Sequence, residues 1–160
     1  MMSEVIRTIK CRPLEWGSAK KVGHYVVYSH VAFKTPEELD FDIFRMENVA
    51  VEEEMSYHFN NKTVAVQVIE AGSMNKFVNL NYVCAVQDKQ GNIYADDKIL
   101  KTGYKGKLFA AIALTVLPPL TLVAPLYYWQ ANKLKKALAK VGDFDPIEEG
   151  FVRPGNKKNF

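Results

Sequence analysis

Apolar residues along this chain follow two regimes. Up to about position 97 they alternate with polar ones or gather in short runs, whereas from Leu108 to Trp129 they continue without a single formal charge. Alternation puts every second side chain on one face of a strand, so the first regime predicts a strand-rich domain with short turns. Val5 to Cys11 is one such segment. His24 to Phe33 combines β-branched and aromatic residues on both faces, with Gly23 before it and Pro36 after it, as a central strand would. Met55, Tyr57 and Phe59, then the turn-forming Asn60-Asn61-Lys62, then Val64, Val66 and Val68 predict a β-hairpin. A second hairpin is predicted from Val78, Leu80, Tyr82, Cys84 and Val86, through Asp88-Lys89-Gln90-Gly91-Asn92, into Ile93-Tyr94-Ala95.

Between these, Thr35-Pro36-Glu37-Glu38 is a helix start signal that predicts a short helix from Pro36 to about Met46. Leu39, Phe41 and Ile43 alternate with Asp40 and Asp42, so a strand competes for the same residues. The fold class expected for residues 1–97 is therefore mainly β: a small antiparallel sandwich or partly open barrel with room for one short helix.

The second regime, residues 108–129, reaches roughly 33 Å as a helix, enough for a hydrocarbon layer of about 30 Å. It is read as a membrane segment. Pro118 and Pro119 at its centre, and Pro125 six residues beyond Pro119, remove helical donors and rule out a straight helix. Two architectures accommodate them: a proline-kinked single span, or a helical hairpin that dips into the membrane and returns. Tyr127, Tyr128 and Trp129 form an aromatic belt at one end only, which favours the kinked span. A third reading is a soluble protein that buries the hairpin in its core. Residues 98–107, with Gly103 and Gly106 among four lysines, read as a basic joint. Residues 130–141 read as a basic amphipathic extension that places Lys133, Lys135 and Lys136 at the interface, and residues 142–160 as a flexible tail.

Charge and composition sharpen this picture. The formal net charge is only +3, and the lysines flank the apolar run instead of striping the leading domain, so nucleic acid is not the expected partner. Anionic lipid headgroups, and other subunits within the membrane, are. Cys11 and Cys84 share no metal-ligand spacing and are expected as reduced core residues, Cys84 on the buried face of its strand. The N-terminal residues lack the basic and apolar regions of a cleaved signal, and no lipidation motif is present, so the leading domain is expected on the cytoplasmic side.

Candidate chemistry is sparse. His24 and His30 would lie about 20 Å apart along a strand, too far for one metal ion. His58 could meet Glu52, Glu53 or Glu54 only through tertiary folding, and the acidic triplet is more simply a solvated face. Asn61-Lys62-Thr63 matches a glycosylation sequon by chance in a turn. No phosphate loop, nucleophile elbow or HExxH pattern occurs. No cofactor, metal or catalytic residue is expected. The sequence thus points to a membrane-anchored, non-catalytic β domain acting as an interaction or assembly subunit. An enzyme with a site where the domain meets the bilayer, built on His58 and the Glu52 to Glu54 acids, is the alternative.

Overall fold

The computed structural model describes residues 5–35, 43–73, 79–117, 120–144 and 157–159. The chain forms two compact units: Met1–Asp96 together with Val141–Phe160, and Asp97–Lys140.

The first unit is mainly β. Among the described residues it holds β1 (Ile6–Lys10), β2 (Arg12–Trp16), β3 (Ala19–Val22), β4 (Tyr25–Lys34), β5 (Ile43–Glu52), β6 (Thr63–Ile69), β7 (Asn81–Asp88), β8 (Ile93–Ala95) and β9 (Lys157–Asn159), with one helical turn, α1 (Glu53–Ser56). All of these strands belong to one sheet ordered β1-β6-β7-β5-β4-β2, with β3 also on β4, β8 on β7 and β9 beside β8. The sheet is open and mixed. Most neighbours are antiparallel, but Val49–Val51 of β5 runs parallel to Asn81–Val83 of β7, and β9 runs parallel to β8.

Cys11 is the only residue between β1 and β2, which pair with β6 and β4 at opposite ends of that order. The sheet therefore curls back on itself there, and the Cys11 amide donates to the Val64 carbonyl at 3.0 Å. Alternate residues of the central strands fill the core, Val31 and Phe33 from β4, Val49 and Val51 from β5 and Val66 and Val68 from β6, and β7 adds Val83 and Val86, three residues apart across a register shift. Phe59 closes one end, with Trp16 edge-on at 6.2 Å.

Three sequence expectations are resolved here. Met55 and Phe59 do not belong to a strand. The Glu52 carboxylate accepts hydrogen bonds from the amides of Glu54 at 2.8 Å and Met55 at 3.1 Å, and this side-chain cap starts α1. Of the helix and the strand that competed for residues 36–46, the strand is what forms from Ile43 onward, as β5, while residues 36–42 lie outside the described residues. The mainly β class holds, but where an antiparallel sandwich or partly open barrel was expected the strands form one open sheet of mixed direction.

The second unit is helical: α2 (Lys98–Val116), a 3-10 turn over Leu120–Leu122 and α3 (Ala124–Lys140). Residues 98–107, read from the sequence as a joint, form the first half of α2. No helix among the described residues is long and apolar enough to cross a membrane.

Candidate functional site

The two helices pack along each other as a hairpin. Small residues make this close approach possible: Ala111, Ala124, Ala131 and Ala137 are buried, with Leu100 and Leu134. α2 ends where Leu117 turns extended, with φ −107° and ψ 95°. A proline disfavours the helical region for the residue before it, and Pro118 follows; Pro118 and Pro119, expected to kink a helix, themselves lie outside the described residues. Pro125 is the second residue of α3, in the first turn, where a missing N–H leaves no helical bond unmade. A kinked continuous helix over 108–129 is therefore corrected to a reversal of the chain.

Packing the alanines inward leaves the large apolar side chains outside. Leu122 is 88% exposed, Phe109 75% and Val116 72%, and Ile112, Leu117, Val123 and Leu126 are exposed as well. So many large apolar side chains exposed on one pair of helices are uncommon on a folded monomer. Below the tip, aromatic and basic residues gather. The Lys107 ammonium lies 5.3 Å from the Tyr127 ring centre, and that of Lys133 4.9 Å from the Trp129 ring. Tyr128, Lys135 and Lys136 are exposed beside them. Thus all six expected interface residues fall on α3, and α2 contributes Lys107 to the same belt.

Charge is distributed with equal asymmetry. Between Asp97 and Asp143 the chain holds eight lysines and not one acid, although acids number 18 overall. The formal charge of +3 hides a strongly basic hairpin and an acidic remainder.

The hairpin is an insertion in the β unit. Its outgoing end is fixed through Asp96, whose amide donates to the Cys84 carbonyl at 2.8 Å and whose Oδ2 accepts from the Tyr25 hydroxyl at 3.1 Å. The returning end is held by Gln67. Its Oε1 accepts from the Gly142 amide at 2.7 Å and its Nε2 donates to the Asp143 carbonyl at 2.8 Å, so one buried amide side chain substitutes for a strand neighbour. Gly142 has φ 73°, the left-handed conformation that ends a helix and suits glycine. Gln67 and Cys84 lie on neighbouring strands and are themselves joined, the Cys84 thiol donating to the Gln67 carbonyl at 3.3 Å. Exit and return are therefore tied to one place on the β6–β7 pair. A single span, which needs its two ends on opposite sides of a membrane, is incompatible with that arrangement. Of the expected tail, Asp143 and Lys157–Asn159 are bonded into the β unit, and residues 145–156 lie outside the described residues.

The remaining candidate chemistry is dispersed. Among the described residues no three His, Cys, Asp or Glu side chains converge as a metal site. His58 stacks on Tyr94 with ring centres 3.6 Å apart, and His30 faces Glu15 at 3.8 Å. Glu52, read as part of a solvated triplet, is buried as the cap of α1. Cys11 and Cys84 are free and buried, and burial pushes both thiols up to about 12, far from the range of reactive cysteines.

Two features of the site have a signature in the sequence. Gln67 is a lone polar residue within Val64-Ala65-Val66-Gln67-Val68-Ile69, and the acid-free interval from 98 to 142 was there to count. Comparison of the chain with protein families, with curated proteins and with solved structures gave no match.

Proposed function

We propose that this protein is a non-catalytic β module held at a membrane surface by its helical hairpin, serving there as an interaction or assembly subunit. The observation that carries this reading is the apolar tip, with Leu122 and Val116 almost bare, on an acid-free hairpin whose base is rich in lysine. An apolar surface alone fits many partners; joined to unopposed positive charge and an aromatic belt, it fits an anionic lipid surface best. The cytoplasmic leaflet, where anionic lipids concentrate, is the matching surface. The β unit would meet the protein partner. Its edge strand β3 is exposed along its whole length and suits strand addition.

Flotation with vesicles tests this reading. The protein should float with phosphatidylserine-containing vesicles and much less with neutral ones. Each lysine near such a surface contributes about 1 kcal/mol, so the combined change of Lys133, Lys135 and Lys136 to Gln should weaken binding on the order of 100-fold. Unchanged partition of that variant would remove lipid electrostatics from the account, and no flotation of the native protein would remove the membrane.

A further inference from the structure

The membrane reading leaves open how deep the hairpin goes. Lys107 and Lys133 each stand ten residues from the tip, the first before Leu117 and the second after Val123. At 1.5 Å per residue both limbs measure about 15 Å, half of a hydrocarbon layer of about 30 Å. Both lysines lie against aromatic rings, Tyr127 and Trp129, the residue types that settle at the headgroup boundary. The two lysines thus set one common level about 15 Å from the tip, and Tyr127 and Trp129, whose backbone lies about 6–9 Å beyond Val123, stand on its apolar side with their rings reaching back toward the ammonium groups.

From these distances we infer that the hairpin inserts into a single leaflet of an anionic membrane, with Lys107 and Lys133 at the phosphates and Leu122 near the bilayer midplane. The inference rests on the membrane reading above and adds depth and sidedness to it. It is consistent with the position of the hairpin's ends, since Asp96 and Gly142 are both bonded to the β6–β7 pair. Two polar groups beside the tip are already bonded: the Thr115 hydroxyl donates to the Ile112 carbonyl at 2.6 Å, and the Leu126 amide to the Val123 carbonyl at 3.1 Å, so neither opposes an apolar medium.

Depth-dependent quenching tests it. The native thiols are buried, so a single NBD fluorophore can be attached in the full chain at Leu122→Cys, Thr102→Cys or Asn132→Cys, all at exposed positions. On sealed phosphatidylserine vesicles, the label at 122 should be quenched more strongly by lipids brominated near the acyl-chain ends than by those brominated near the glycerol. Labels at 102 and 132 should both be reduced by dithionite added outside. Stronger quenching of 122 by shallow bromines would mean that the hairpin lies flat, and protection of either 102 or 132 from dithionite would mean that the chain crosses. Each outcome overturns one-leaflet insertion while membrane binding itself persists. Failure of the unlabelled protein to float would instead withdraw the membrane reading, and this inference with it.

Discussion

Gln67 shows how one side chain can decide the path of forty others. An alternating strand ordinarily hides apolar residues, and here the buried amide is retained because it alone supplies both a donor and an acceptor to the returning chain at Gly142 and Asp143. Replacing it with leucine fills the space but leaves a buried N–H or carbonyl without its partner. Such groups cost about 1–3 kcal/mol each. Gln67→Leu should therefore destabilise the protein by about 3 kcal/mol in urea denaturation, with faster hydrogen exchange at the Gly142 amide. A loss below about 1 kcal/mol would show that the clamp contributes little. Position 67 was legible as an anomaly in the sequence, but its partner lay 75 residues away and no local pattern pointed to it. Cys84 is buried as expected, but alternation is not the reason: β7 buries every residue from Val83 to Gln87, and the core cluster takes Val83 and Val86 without it.

At the scale of elements, what could be read depended on whether a spacing was unique to one structure. β1, β4 and β6 carry long alternating or β-branched runs and lie within a residue of their expected limits, while the hairpin of β7 with β8 is present with β7 starting at Asn81 and the expected start, Val78, outside the described residues. β2 and β3 were not expected, since β3 is exposed throughout and β2 buries only Pro13, so neither shows a periodic face. The segment after Glu52 misled for a different reason. Met55 and Phe59 are four residues apart, a separation that returns to the same face in a strand and in a helix alike. Tyr57 distinguishes them: a strand would bury it with its neighbours, and it is 74% exposed. Glu52→Ala should consequently cost about 1–2 kcal/mol through loss of the cap. Tyr57→Ser should cost no more than about 0.5 kcal/mol, as an exposed position does, where burial in a strand would predict about 3 kcal/mol. Chemical denaturation of the two variants side by side separates these cases.

For the whole molecule, composition and hydropathy located the unusual stretch but not its route. Length said that residues 108–129 could cross a membrane, and the prolines said that they would not do so as one straight helix; only the bonds from Asp96 to Cys84 and from Gly142 to Gln67 bring the ends together. These bonds belong to the β unit itself, so the sheet's hydrogen bonding and its buried valines close without help from residues 97–140. Loop-closure cost rises only slowly with length, and a short linker between neighbouring strands is favourable. Replacing residues 97–140 with about six Gly/Ser residues, a span of roughly 20 Å when extended, should therefore leave a protein with a β-rich circular dichroism spectrum and a cooperative thermal transition. The same variant loses seven of the hairpin's net positive charges together with the exposed Leu122 tip, and it should no longer float with anionic vesicles. A shortened protein that folds but still floats would move the lipid contact onto the β unit, and one that fails to fold would show that the hairpin is part of the sheet's core.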